Sequence, residues 1–202
     1  MAIGRVREYD QRMKLEDVLG DVAAFYEQQA ARCRGLGIEV SGLPISHVAF
    51  RARTWREYLT LRERLEQLAV ANRENVWNGR PISKIVLPEP IAVGGRPLDL
   101  VELIPPFHQR VYRMGLEHCG FVVGEGERFS AFVAKHRPVL TGQQFQSPEN
   151  EPVYILFPDY THVKFHQRSL ADAVRREGLT FDGFVHADWQ PIDELAGPYE
   201  VG

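Results

Sequence analysis

A short pattern that occurs twice does most to limit what this chain can fold into. His47-Val48-Ala49-Phe50 and His118-Cys119-Gly120-Phe121 share a histidine, a small residue two positions on and a phenylalanine three on, and the histidines stand 71 positions apart. Each copy sits on a strand-like segment followed by a helix and then more strands. Such self-similarity is the mark of a duplicated supersecondary unit. In the first copy, 45–51 alternates in the manner of a strand, and Thr54 and Glu57 form a capping box before a helix striped by Tyr58, Leu61, Leu65 and Leu68. Asn78-Gly79 marks a turn, 82–87 reads as a strand ending at Pro88 and Pro90, Gly94-Gly95 marks a hairpin, and 98–104 is the next strand before Pro105-Pro106. In the second copy the order is strand 116–123, helix 128–136, strand 153–157, a Pro158-Asp159 turn, strand 162–166 and a helix over 170–177 capped by Ser169 with Asp172 at its capping-box position.

Ahead of both copies, Leu15, Val18, Val22, Phe25 and Tyr26 recur at helical spacing and predict one helix over 13–37, closed by Gly35 and Gly37. The tail carries Pro191, Gly197 and Pro198 and reads as irregular. The expectation is therefore an α+β fold: two paired β-α-β-β-β modules forming a curved mixed sheet around a cleft, with an added N-terminal helix. The expected divisions are an N-terminal helical extension at 1–43, a first module at 44–110, a second at 111–170, and a C-terminal helix and tail at 171–202, in one compact domain.

Composition narrows the function classes. The 202 residues are 44% hydrophobic and 25% charged, an ordinary globular mix. Lys and Arg number 24 against 27 Asp and Glu, a formal net charge of −3, which argues against a nucleic-acid binder. No apolar run approaches the ~20 residues that span a bilayer, and residues 1–12 lack the apolar stretch of a secretory signal. Cys33 and Cys119 read as two free thiols of a cytoplasmic protein.

The chemistry concentrates on strands. Side chains alternate between faces, so His47 points with Ile45, Ala49 and Arg51, Glu102 with Leu100 and Ile104, and His118 with Leu116, Gly120 and Val122. Burying an unpaired polar group costs several kcal/mol, so each needs a partner. Either they satisfy one another, or they hold a metal. Two imidazoles and one carboxylate on separate strands facing one cleft suit Zn, Mn, Ni or Fe(II) and leave positions open. By the same alternation Glu117 is expected on the opposite face, toward solvent or a helix, and Cys119 and Trp55 in packing. His108 and His136 read as solvated. Asn78 and Arg80 read as a hairpin start or a lip of the cleft.

These segments resemble the YecM-like branch of the vicinal oxygen chelate superfamily, which includes glyoxalases, extradiol dioxygenases, epimerases and bleomycin-sequestering proteins. The resemblance rests on "ISHVAFR" (45–51), "NGRPI" (78–82), "LVELIPP" (100–106), "LEHCGFVV" (116–123) and "VKFH" (163–166), and covers about 44–170. It implies metal ligands on the first and last strands of both modules: His47, Glu102 and His118. The usual fourth ligand is a glutamate after a Pro-Asp-Gly turn. Here Pro158-Asp159-Tyr160 replaces the turn and Lys164 falls at the glutamate position, leaving His166, ranked above His162, as the substitute ligand. The implied function is a divalent-metal enzyme, an isomerase, epimerase, lyase or dioxygenase, on a small oxygen-rich anion. Lys164 would act in catalysis, and Arg51 would grip a ligand carboxylate unless it pairs with Glu102. The rival is a metal-free ligand-binding or sequestering protein. The superfamily pairs modules within or between chains, which leaves a homodimer open.

Overall fold

The computed structural model describes residues 13–107, 111–192 and 199–200; the expectations for residues 1–12, His108 and Gly197-Pro198 lie outside them. In chain order the elements are α1 (Glu16–Leu19), α2 (Val22–Gly35), β1 (Ile45–Arg51), α3 (Trp55–Glu66), β2 (Ala71–Trp77), β3 (Arg80–Val93), β4 (Arg96–Ile104) and β5 (Val111–Tyr112). There follow β6 (Gly115–Val122), α4 (Glu127–His136), β7 (Gly142–Gln143), β8 (Val153–Leu156), β9 (His162–His166), α5 (Leu170–Arg176), β10 (Phe184–Val185) and β11 (Tyr199–Glu200).

Nine strands form one sheet in the order β10-β2-β3-β4-β1-β6-β9-β8-β7, and β11 pairs separately with β5. The first module supplies β2-β3-β4-β1 and the second β6-β9-β8-β7, so each module, read inward from its outer edge, runs second, third, fourth, first. The modules meet first strand to first strand, with β1 antiparallel to β6. Within each, the first strand runs parallel to the fourth. The registers correspond: Val48 faces Val101 and Ala49 faces Glu102, while Cys119 faces Val163 and Gly120 faces Lys164. Glu102 and Lys164 therefore occupy equivalent places in the two modules.

One face of the sheet carries the main apolar core. Val48, Val101, Cys119, Phe121, Val163 and Phe165 are buried there with residues of α2 and α3, and each fully buried aliphatic or aromatic side chain contributes about 1.5–3 kcal/mol. Helix α2 also clasps the third-to-fourth strand turn of both modules. Tyr26 packs against Gly94, where a side chain would collide with its ring. At the other turn Arg32 pairs with Asp159 at 2.8 Å and Gln29 donates to Thr161 Oγ1 at 3.1 Å. The opposite face of the sheet carries His47, Glu102, His118 and Lys164, and α5 packs over β1 on that side.

The predicted helix over 13–37 is in fact two. Gly20, at φ 80°, breaks it, and Asp21 recaps the chain by accepting from the Ala24 N–H at 2.8 Å. The strand predicted to stop at Pro88 continues to Val93. The β3–β4 register jumps between Val86 and Ile91, so exposed Pro88 and Pro90 fall where no ladder hydrogen bond is required. The caps hold as read: Thr54 Oγ1 accepts from the Glu57 N–H at 3.0 Å, and Ser169 Oγ from the Asp172 N–H at 3.1 Å. Asn78 and Gly79, at φ 52° and 77°, turn β2 into β3. Among the described residues no helix is long and apolar enough to cross a membrane.

Candidate metal centre and its cavity

The seam between the modules departs from simple alternation at two places. Between Ile45 and His47, β1 uses two residues where β6 uses one, so Ser46 is extra; between Ala49 and Phe50, β6 uses two where β1 uses one, so Glu117 is extra. A bulge of this kind re-aims the inserted side chain. Ser46 Oγ meets His47 Nδ1 at 2.9 Å and Glu117 Oε1 meets His118 Nδ1 at 3.2 Å. Each histidine is thus held at Nδ1 by the residue just before it, and the two Nε2 atoms turn toward each other. This corrects the expectation that Glu117 faces away: it is 2% exposed and lies on the cleft side because the bulge places it there. The sequence signal was a polar residue preceding each repeat histidine, Ser46 and Glu117 at the same 71-residue spacing.

The structure brings His47, Glu102 and His118 together on the adjacent strands β1, β4 and β6. His47 Nε2 lies 3.2 Å from His118 Nε2, and Glu102 Oε2 lies 3.7 Å from His47 Nε2 and 3.2 Å from His118 Nε2. All three residues are buried. Gly120, opposite His47, makes room for this: a Cβ there would lie 2.5 Å from the His47 ring. Burial lowers the His47 pKa to about 3 against the pull of Glu102, so that ring is neutral. Burial alone would raise Glu102, but the hydrogen bond from His118 and the charges of His47, His118 and Lys164 outweigh it and hold the carboxyl well below its ordinary range.

Proton placement tests whether a metal fits. Glu117 is likewise held well below the ordinary range; Arg51 and its hydrogen bonds with His118 and His162 outweigh burial. As a carboxylate it has no hydrogen to give, so His118 Nδ1 is the donor between them. With an ion bound, His118 Nε2 would be bare and would face that ion beside a carboxylate oxygen and a second ring nitrogen; without one, a proton on Nε2 bridges to Glu102 Oε2 at 3.2 Å instead. Two donors about 2.1 Å from a common ion at roughly right-angled to tetrahedral spacing stand about 3.0–3.4 Å apart, close to the distances found. The donor set fits a divalent cation of the Zn, Mn, Ni or Fe(II) class.

The other predicted residues fall differently. His166 stands outside this trio: its ring lies edge-on to His47 with centroids 5.3 Å apart. Its Nδ1 contacts Asn150 Oδ1 at 3.0 Å, and its Nε2 is buried without a hydrogen-bond partner. His162 instead joins Glu117 and His118 as a second close group of ligand-type atoms, with Nε2 3.4 Å from Glu117 and its ring stacked on His118. Arg51 holds neither Glu102 nor open space. Its Nε pairs with Glu117 Oε2, its Nη2 donates to Glu117 Oε1 at 3.1 Å, and its Nη1 donates to the Pro105 carbonyl at 3.0 Å. The physical reason is again the bulge, which delivers a carboxylate to the guanidinium fork. Cys119 packs in the core, as does Trp55, stacked on Tyr58.

Two cavities flank the centre. The larger, about 310 Å³, is lined by Arg51, Arg80, Arg113, Glu117, His162 and Lys164, among others. The smaller, about 160 Å³, lies under α5 and is lined by Glu102, Lys84 and Asn150. Lys84 donates to Asn75 and to the Ile82 carbonyl, and burial lowers its pKa to about 8 against Glu102. His47 and His118 line neither space. The wall of the larger cavity nearest to them consists of Lys164, Glu117 and His162.

Residues 14–177 match the model of the family described as YecM protein. The chain is 28% identical over 177 residues to Protein YecM of Escherichia coli (strain K12), covering 81% of this chain and 94% of the other. A solved structure titled Structural Genomics, Protein EC4020, aligns with a TM-score of 0.65 at 25% identity, over 81% of this chain and 92% of the other. A homoprotocatechuate 2,3-dioxygenase variant from B. fuscum aligns with a TM-score of 0.40 at 14% identity, over 65% and 36% of the two chains.

Proposed function

The chain belongs to the YecM family, and we propose that it is a divalent-metal enzyme whose ion is held by His47, Glu102 and His118 and which acts on a small oxygen-rich anion. One observation carries the reading: three lone-pair atoms converge at 3.2–3.7 Å, with His118 Nδ1 committed to Glu117. A divalent ion bound there supplies Lewis-acid polarisation of adjacent substrate oxygens. The protein's own groups do the rest. Ser46 and Glu117 fix the ring orientations, the role that second partners of metal-bound histidines perform. Burial of the trio excludes bulk water. Lys164 and His162 stand in the wall of the larger cavity as the groups able to move a proton, which favours isomerase, epimerase or lyase chemistry; dioxygenation would need the ion to be Fe(II). His166, with an unpartnered Nε2 beside His47, is the reserve fourth donor. The buried free thiols Cys33 and Cys119 suit a reducing, cytoplasmic setting.

The test is metal content of protein purified without chelator. About one ion per chain is expected in the natural protein, lost in His47→Ala and Glu102→Gln while circular dichroism shows the fold retained. A folded natural protein that neither carries nor takes up Zn, Mn, Ni or Fe(II) would overturn the reading. It would favour a metal-free ligand-binding protein, for which Lys164 in the place equivalent to Glu102 already speaks.

A further inference from the structure

We infer that Lys164 and Arg113 are the residues with which the larger cavity selects a short-chain carboxylate, and that Arg51, in the same wall, is a positioning residue that takes no part in holding the ligand. This deepens the reading above by naming the groups that recognise the anion.

The argument begins with what each charge already holds. Glu117 is matched by Arg51 and accepts from His118 and His162. Glu102 is taken up by the His47 and His118 rings. Lys164 feels both carboxylates, yet at 6% exposure it makes no hydrogen bond and no ion pair within 4 Å among the described residues, and it lines the cavity. Arg113 lines the same cavity, and its Nε is buried without a hydrogen-bond partner. Arg80, buried with its guanidinium 5.0 Å above the Trp77 ring, adds a third positive group to the wall. Lys164, a buried cation with no ion pair within 4 Å among the described residues, is costly to the fold. An anion in the cavity supplies its counter-ion.

Size and charge then narrow the ligand. A cavity of about 310 Å³ sits at the small end of ligand sites, which run from about 300 to 1,000 Å³, so a nucleotide is too large. Glu117 is matched by Arg51, which leaves Lys164 and Arg113 for the anionic end of a ligand, and a short carbon chain fills space that inorganic phosphate would leave empty. A short 2-hydroxy or 2-oxo acid meets both conditions. Its carboxylate would lie against Lys164 and Arg113, with its neighbouring oxygen free for the metal centre.

The inference is tested by calorimetry and thermal shift with 2-hydroxybutanoate, 2-oxobutanoate, the neutral 2-hydroxybutanamide and inorganic phosphate, on metal-loaded and on chelator-treated protein. The acids are expected to bind both forms about tenfold or more tighter than the amide or phosphate, the scale of a charge-assisted hydrogen bond. Lys164→Met should lose that preference while raising the melting temperature of the ligand-free protein, since the buried ammonium that has no ion pair within 4 Å is then gone. Arg113→Gln should weaken acid binding several-fold, and Arg51→Lys should leave it unchanged in the folded fraction. Equal binding of acid and amide, binding of phosphate as tight as the acids, no acid binding at millimolar concentration, or acid binding that survives Lys164→Met would each overturn it. Its failure is separable from that of the metal reading. Acid binding to chelator-treated protein stands whether or not an ion is found, whereas a metal-replete protein without acid preference refutes this inference alone.

Discussion

Across the parallel ladder of the first module, Ala49 faces Glu102; across that of the second, Gly120 faces Lys164. Two positions further along, Arg51 faces Ile104 in the first and Val122 faces His166 in the second. The backbones repeat, and so does the device of a bulged polar residue gripping each histidine at Nδ1. The charges do not repeat. The carboxylate of the first module closes a ligand set, while the ammonium of the second opens onto a cavity. A duplicated scaffold has placed two imidazoles symmetrically and then differed in charge, which under the proposed function divides the work into ion holding on one side and anion holding on the other.

Substitutions that make one module resemble the other test this division. The largest effect is expected from Arg51→Val, which gives the first module the residue of the second. It leaves buried Glu117 without its cation, a loss of roughly 3–5 kcal/mol that urea unfolding would register; an unchanged midpoint would mean the pair across the seam is dispensable. Gly120→Ala gives the second module the residue of the first. Its methyl would press on the His47 ring and destabilise by about 1–3 kcal/mol, with weaker metal uptake in calorimetry. Lys164→Glu restores a second carboxylate at the equivalent position. Metal affinity should rise about tenfold, or 1.4 kcal/mol, and unchanged affinity would show that equivalence in register is not equivalence in coordination.

The smallest effect concerns the clasp of α2, which is apolar on the first module's turn and ionic on the second's. Burial would raise the Asp159 carboxyl, but hydrogen bonds from Arg32 and Thr161 outweigh it and lower its pKa to about 2. A depressed carboxylate adds stability above its unfolded pKa, near 4, and loses it as pH falls through about 2. Asp159→Asn should therefore cost under about 1 kcal/mol at neutral pH, because the pair is part-exposed, and nothing near pH 2. A deficit that persists near pH 2 would show that the amide, not the charge, is at fault.

Much of this was legible in the sequence where a rule depends on one strand or one cap. The bounds of β1 and β9, the caps Thr54 and Ser169, and the shared facing of His47, Glu102 and His118 follow from local alternation and local hydrogen bonding. What was not legible depends on two strands at once. Whether Glu117 points inward is set by how β6 counts against β1, and a period-two pattern read along β6 alone assigns it to the wrong face. The same holds for Pro88 and Pro90, which β3 tolerates only because β4 skips past them. Alternation alone likewise leaves Arg51 for a ligand, because its partner Glu117 enters through a bulge. Gly20-Asp21, by contrast, is a local stop and cap that the sequence carries beneath a continuous apolar stripe.

The bulged seam also bears on the order in which the protein acquires function. His47 and His118 are separated by 71 residues and meet only where β1 docks on β6, whereas the β3–β4 and β8–β9 hairpins close over short loops. Distant pairings form at a higher entropic cost and later than local ones. Each module can therefore build much of its own sheet before the trio of His47, Glu102 and His118 is assembled. An ion that binds only the docked state adds about 2.7 kcal/mol of stability at a hundredfold excess over its Kd, all of it on the final step. Stopped-flow refolding should show tryptophan fluorescence recovering before metal capture, so that the ion acts as a latch on finished molecules and not as a template for folding them.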